Sequence, residues 1–238
     1  MDVFGDGGLT IVGGGRLGAA LTAALTTAGV AVVGPVRRNE PIGGDLVLFA
    51  VPDREIAAAV TGAPAGAIVG HTAGALTLEV LGAREAFSFH PLMTALGGRA
   101  QFKGASAAVA GSTPRALGIA RAIATRLSME PLEIPESRRA TYHAAASIAA
   151  NFLVTLESMA ERVGVEGGLE RRHLLPLARA ALENWGTLGP VALTGPIARG
   201  DGETVARQRA AVAQAVPELL AAWDAMAAAT VELARDIK

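Results

Sequence analysis

Three groups of residues have types and spacings that could do chemistry. Gly13, Gly15 and Gly18 stand as G-x-G-x-x-G between the apolar run "LTIV" and the amphipathic run "RLGAALTAALTT". The first glycine permits a tight turn, the second lets a pyrophosphate approach the backbone, and the third lets a helix pack closely on a strand. Arg16 and Leu17 would then open that helix, offering free N–H groups and the positive end of a dipole to the phosphates. The second group is His90, at the end of "AFSFHP", together with His143, Ser147 and Asn151, which interrupt the alanine-rich stretch "YHAAASIAANFL" at intervals of four. A histidine that titrates near neutrality can give or take the proton a polar reaction needs. The third is "LTGPIARGD", where Thr194, Arg199 and Asp201 occur together and Arg199 could clamp a carboxylate through two parallel hydrogen bonds.

Each group also admits a plainer reading. On a helix, steps of four drift about 40° and rise about 6 Å, so His143 and Asn151 would lie about 12 Å apart along one face. One small substrate cannot easily touch both; one end would meet substrate and the other a cofactor or supporting group. Alternatively the three satisfy one another in a helix–helix contact. His90 could be a turn histidine with a backbone partner. Asp201 could cap the following helix, with Arg199 paired to it. His173, among arginines, reads as surface.

The end of the second strand bears on the choice of nucleotide. Where an acidic residue would hold the ribose hydroxyl of NAD, the chain reads "GPVRRNE". Arg37 and Arg38 suit a 2′-phosphate instead, so NADP is expected ahead of NAD, with Glu40 as a competitor for the position. Ala50, Val51 and Pro52 follow the third strand and His71 and Thr72 end the fourth, at the carboxyl edge where open α/β sheets bind ligands. Backbone at Ala50–Pro52 and Thr72 is expected to line the cofactor, and His71, Thr72 and His90 to point to that edge. Asp53 either joins them or caps "DREIAAAV".

These groups need elements to hold them. "LTIV", "VAVVGPV", "DLVLFAVPD", "AIVGHTAG", "AFSFHP", "ASAAVAG" and "MEPLEIP" read as strands, and "RLGAALTAALTT" and "PRALGIARAIATRL" as helices. The alternation predicts an α/β domain over residues 1–135, a Rossmann-type parallel sheet with helices on both faces. The short link from Arg37 to Asp45 spans roughly 30 Å at most, enough to recross a strand as a bare loop without a helix. From residue 136 to 238 the pattern is all helical: one long helix through "ESRRATYHAAASIAANFLVTLESMAERVG", a second bent or broken near Pro176, the "LTGPIARGD" loop, and two more helices.

Composition sets the outer limits. The 238 residues are 51% hydrophobic and 18% charged with a net charge of −1, which is globular and without the basic surface a nucleic-acid partner demands. The chain has no cysteine, so no thiolate metal site or cysteine nucleophile, and no metal is expected. Without a signal-peptide pattern or a bilayer-length apolar run, no membrane partner and a cytoplasmic location are expected. So much alanine-rich helix is hard to bury within one chain, which points to a homodimer built on the helical domain.

The glycine turn, "DLVLFAVPD", "HTAGAL" and "SFHPLMT" together resemble the Rossmann-like oxidoreductases related to pyrroline-5-carboxylate reductase and the deazaflavin-dependent NADP reductases. "YHAAASIAANFLVTL" and "ALTGPIARGD" are similar to the C-terminal domain of a subfamily of largely unassigned function, with a helical domain like that of 6-phosphogluconate dehydrogenase. The resemblance implies a dinucleotide domain, a helical dimerisation domain, and a substrate cleft faced by the first long helix. It implies NADP-dependent hydride transfer to or from a small carbonyl or imine, carboxylate-bearing in kind; a deazaflavin partner, or a non-catalytic NADP-binding sensor or interaction dimer, are the rivals. Some related hydroxyacid and ketopantoate reductases use a lysine on this helix. Here the helix carries Arg138 and Arg139 and no lysine, which leaves His143 or His90 as proton donor.

Overall fold

A computed structural model describes residues 3–5, 7–96 and 99–237, with Leu96 and Arg99 described in their backbone only. By its contacts the chain forms two compact units, Met1–Ala150 and Asn151–Lys238.

The first unit follows from strict alternation in its strands. In β1 (Leu9–Val12), β3 (Leu46–Phe49), β4 (Ile68–His71) and β5 (Ala86–Leu92), successive side chains point to opposite faces of the sheet. Leu9, Ile11, Leu48, Phe87 and Phe89 meet Leu21 and Leu25 of α1 (Arg16–Thr27) and Ile119 and Ile123 of α3 (Pro114–Arg126). Val12, Val47, Phe49 and Val69 meet Ile56 of α2 (Asp53–Ala59) in a second core. Both faces are therefore covered, as the near-continuous apolar strands require. Thr113 starts α3 by accepting the Ala116 N–H at 3.1 Å, with Pro114 in the first turn, where its missing N–H costs nothing.

With β2 (Val32–Val36), β8 (Ser106–Gly111) and β9 (Glu130–Glu133) the sheet has seven strands in the order β2-β1-β3-β4-β5-β8-β9. Pro35 is tolerated because β2 is an edge strand. Residues 37–45 hold only turns and bends, so the bare loop expected there is present. One pairing departs from the expected parallel sheet: β8 runs antiparallel to β5. Among the described residues their connection carries no crossover helix, only the small ribbon β6 (Ala95–Leu96) with β7 (Arg99–Ala100), and antiparallel neighbours need no crossover.

Beyond β9 the chain is helical. A 3₁₀ turn at Glu136–Arg138 leads into α4 (Arg139–Ser147), which belongs to the first compact unit. The long helix expected here changes type: a π-helical turn, Ile148–Phe152, separates α4 from α5 (Leu153–Gly164). The π turn bonds i to i+5, so the α-helical arithmetic of the His143, Ser147, Asn151 stripe ends at Ser147.

The second unit contains α5, α6 (Arg171–Leu188), α7 (Pro196–Arg199), α8 (Gly202–Ala215) and α9 (Leu220–Asp236). Of the bend or break expected near Pro176, the break does not occur; α6 runs through it for 18 residues. Pro176 lies in the second turn, where only the bond to the Arg172 carbonyl is forfeited. His173 is exposed, and its Nδ1 accepts the Glu170 N–H at 3.0 Å in the capping box that starts α6. Among the described residues no helix is long and apolar enough to cross a membrane.

Candidate active site

The strand order reverses between β1 and β3, and the crevice at their carboxyl ends is where such sheets bind ligands. The glycine turn lies there, and its three glycines do different work. Gly13 has φ +119°, and a Cβ on it would meet the Ala50 carbonyl oxygen at 2.3 Å. A Cβ on Gly18 would meet the Gly13 oxygen at 1.9 Å, so this glycine lets α1 pack against the turn. A Cβ on Gly15 would meet nothing within 4 Å; this glycine keeps the surface low. The first turn of α1 contains no acidic residue, so its dipole is not already neutralised.

A cleft of about 480 Å³ opens beside this turn. Gly15, Arg16, Leu17, Ala50, Val51 and Thr72 line one side, and His90 and His143 lie in its wall with Ala73 and Gly74. The two imidazoles come from distant segments, the end of β5 and the second turn of α4. Their centroids are 5.8 Å apart with planes at 76°. Both close over Gly74: a Cβ placed there would lie 2.4 Å from His143 Cδ2, 3.0 Å from His143 Nε2 and 2.9 Å from His90 Nε2.

Two residues that were not singled out from the sequence hold this arrangement. Tyr142 Oη lies 2.7 Å from His90 Nδ1, with the rings crossing edge-on at 88°. Arg139 is wholly buried; it donates to Ser88 Oγ and to the Ala73 carbonyl, each at 2.8 Å. Glu136 Oε1 is 3.7 Å from its Nη1, while Glu136 Oε2 accepts the Leu78 N–H at 2.6 Å. Tyr142 is the single tyrosine of the chain, and "RRATYH" puts Arg139 and Tyr142 on the helix of His143; those were the available signals.

Burial governs the charge states. It lowers His90 from 6.5 to about 4, and His143 and Arg139 push the same way. It lowers His71 to about 4 as well, with Arg139 adding to it. Tyr142 is pushed up to about 12 by burial, against the pull of Arg139. At neutral pH His90 in the cleft wall and Tyr142, its hydrogen-bond partner, are therefore neutral, near the buried Arg139 guanidinium.

His71 does not join this edge as expected. It is fully buried and spends both nitrogens on the turn after β4: Nδ1 accepts the Ala73 N–H at 3.2 Å and Nε2 lies 3.3 Å from the Thr77 carbonyl oxygen. Thr72 Oγ1 makes only a long 3.5 Å bond to the Phe49 carbonyl. Pro52 is the N-cap residue of α2, and Asp53, its first helical residue, lines the cleft without a side-chain cap. Ser147 is half-buried one turn beyond His143 but does not line the cleft.

A second cleft, on the other side of the glycine turn, is lined by Gly13, Arg37, Arg38, Glu40, Val51, Arg54 and Glu55. Arg37 lies over the turn, with Cγ 3.6 Å from a Cβ placed on Gly14. Arg38 pairs with Glu55 at 2.6 Å, and Glu40 accepts the Arg37 N–H at 2.7 Å. Arg54 makes no hydrogen bond or ion pair among the described residues, so Arg37 and Arg54 are the cations left to face a ligand.

The second unit holds the other candidates. Asn151 is exposed in the π turn, and its carbonyl accepts the Thr155 hydroxyl at 3.1 Å. Thr194 and Arg199 are exposed, Arg199 at the end of α7. Asp201 caps α8, accepting the Thr204 N–H at 3.0 Å, which holds its carboxyl below the usual range; Arg199 adds to that as a nearby charge. Among the described residues no cluster of histidine and carboxylate side chains could hold a metal ion.

The whole chain has the fold of the Rossmann-like oxidoreductases with a C-terminal helical domain. BF3122 from Bacteroides fragilis, provisionally named an NADP oxidoreductase, is 21% identical with a TM-score of 0.80, covering 94% of this chain and 97% of its own. Protein TM1727 from Thermotoga maritima is 24% identical with a TM-score of 0.77 over 96% and 98%. The pyrroline carboxylate reductase of Plasmodium falciparum, solved with NADP bound, is 12% identical with a TM-score of 0.59 over 96% and 98%. No curated protein matches the sequence. Residues 105–230, more than half of the chain, match the family described as a domain of unknown function, DUF2520, and the protein belongs to that family.

Proposed function

We propose that this protein is an NADP-dependent oxidoreductase that transfers a hydride to or from a small carbonyl or imine compound. The reading rests on one observation: two histidine Nε2 atoms converge over Gly74 in the cleft onto which Gly15 and the start of α1 open. The glycine turn suits a pyrophosphate, tight at Gly13 and Gly18 and open at Gly15, below a helix end with no competing acid. Arg37 and Arg54 suit a 2′-phosphate, with Arg38 held by Glu55 at the rim.

NADPH, when bound, supplies the hydride. The chain's own residues position the substrate and move the proton. His90, neutral and held from behind by Tyr142, hydrogen-bonds the substrate heteroatom and stabilises the charge that develops there. His143, beside it, gives the heteroatom its proton and regains one from solvent. Burial keeps His90 neutral, with Arg139 adding to it, and Arg139 fixes the Ala73 carbonyl beside the glycine beneath both rings. Arg199, exposed at the end of α7, is the side chain suited to clamp a carboxylate, and Asp201 shapes its loop by capping α8.

A homodimer on the helical unit completes the reading. α6 buries none of its 18 residues, and Leu177 and Trp185 on it are 70% and 63% exposed. An apolar face of that extent is usually covered by another surface. Light scattering should give twice the chain mass, and a monomer at micromolar concentration removes the idea.

The function is tested by NADPH consumption with a panel of 2-keto acids and cyclic imines. Turnover by the unmodified protein and its loss in His90→Ala support the oxidoreductase. Tight NADP binding without turnover across the panel favours the non-catalytic sensor.

A further inference from the structure

We propose that Tyr142 fixes the tautomer of His90, so that the cleft presents an N–H donor at His90 Nε2 and takes an acceptor atom, a carbonyl oxygen, in preference to the N–H of an iminium. The tautomer stands on geometry alone; the substrate class deepens the oxidoreductase reading and rests on it.

The argument counts protons. A phenol has one to donate, and a neutral imidazole carries one on either nitrogen. Oη of Tyr142 and Nδ1 of His90 are 2.7 Å apart, and among the described residues the hydroxyl has no other partner. If Nδ1 carried the ring proton it would donate to the phenol oxygen, and the Tyr142 O–H would be left half-buried without an acceptor. If Tyr142 donates to Nδ1, both protons have a use: one fills the 2.7 Å bond and the other sits on Nε2. That nitrogen is the one that approaches Gly74 in the cleft wall.

The surroundings keep the ring in this state. Burial opposes a second proton on His90, and the nearby His143 and Arg139 add to it. Of the carboxylates, Glu136 is engaged by Arg139 and the Leu78 N–H, and Asp53 lies in the cleft wall with Arg16 opposite in charge. Tyr142 stays protonated, since burial raises it. Neither partner of the hydrogen bond changes charge around neutrality.

A donor at Nε2 selects what it faces. A carbonyl oxygen accepts this bond and accepts it more strongly as negative charge grows on it during hydride arrival. A protonated imine has an N–H and no lone pair, so it would set donor against donor beside a buried guanidinium.

The test does not need a known substrate. The chain has four histidines, which makes long-range proton–nitrogen correlation spectra of labelled protein assignable with single His→Gln variants. His90 should show a bare Nδ1 and a protonated Nε2. In Tyr142→Phe the two nitrogens should average toward a tautomer mixture, while His71, held by the Ala73 N–H, keeps its pattern and reports an intact fold. A proton on Nδ1 in the unmodified protein, or an unchanged tautomer in Tyr142→Phe, overturns the proposal; if that variant does not fold, the unmodified spectrum decides. NADPH consumption with 2-oxobutanoate and with 1-pyrroline then tests the selection. Turnover of the imine alone overturns the acceptor preference and leaves the oxidoreductase standing. Turnover of neither, with the tautomer as expected, counts against the oxidoreductase reading and not against the tautomer.

Discussion

The Arg139 guanidinium donates to the Ala73 carbonyl oxygen at 2.8 Å, one residue before the glycine over which His90 and His143 close. This single bond ties the helix that carries Tyr142 and His143 to the turn after β4, and a second bond ties it to Ser88 on β5. The convergence of His90 and His143 therefore depends on a side chain that does not line the cleft.

Arg139→Met keeps much of the apolar stem and removes the charge. Two buried acceptors, Ser88 Oγ and the Ala73 carbonyl, lose their donor, and an unsatisfied buried polar group costs about 1–3 kcal/mol. The variant should unfold at lower urea, and in whatever remains folded His90 should titrate closer to its ordinary value. A proton NMR titration of His90 indistinguishable from that of the unmodified protein would remove the electrostatic role.

Gly74→Ala tests the close approach directly. The added methyl would meet His143 Cδ2 at 2.4 Å and His90 Nε2 at 2.9 Å, so at least one ring must move. Overpacking of this kind costs about 1–3 kcal/mol. Turnover should fall sharply while NADP affinity, set around the glycine turn, changes little. A fully active alanine variant would show that the two rings need not converge.

Cofactor choice should follow the cations that remain unpaired. Arg37→Ala and Arg54→Ala should each weaken NADP binding by roughly tenfold or more, the scale of one charge-assisted phosphate contact, and leave NAD nearly untouched. Arg38→Ala should have the smaller effect, because its guanidinium is already held by Glu55. Calorimetric titration of both cofactors into the three variants measures the differences, and equal affinity of the unmodified protein for NAD and NADP would refute the preference.

The sheet was legible because its signals are local. Short apolar runs such as "LTIV" and "DLVLFA" and the glycine spacing at 13, 15 and 18 depend on neighbours in sequence, and each element they predict is present. The antiparallel β8 was not legible, since direction depends on what the connection does in space. The π turn at Ile148–Phe152 was hidden for a related reason: a stripe read at 3.6 residues per turn assumes the helix type it is meant to establish. His90 and His143 were found as residue types, but their convergence was not. Tyr142 and Arg139 act through partners some fifty and more residues away in sequence, a relation that one sequence does not encode by spacing. Arg54 was passed over because it follows the third strand, while the bare loop of residues 37–45 leaves it beside the residues that follow the second.

The buried histidines give the protein a pH dependence of stability whose sign is fixed. His71 and His90 both sit at about 4 in the folded state, against 6.5 when unfolded. Between those values the unfolded chain binds more protons, so lowering the pH favours unfolding. Their contribution is fully present above 6.5 and is lost as the pH falls toward 4, at about 3 kcal/mol for each histidine. Carboxylates with lowered values, such as Asp224 paired with Arg209, lose their contribution in the same direction but only below the ordinary carboxylate range. The loss between about pH 6.5 and about pH 5 therefore belongs to the histidines. Urea midpoints measured across that interval should drop steadily. His90→Gln, which cannot titrate, should reduce the slope by about half, since two buried histidines share it. A midpoint that stays flat down to about pH 5 would mean that neither ring is held neutral by burial, and the charge states assigned to the cleft wall would be wrong.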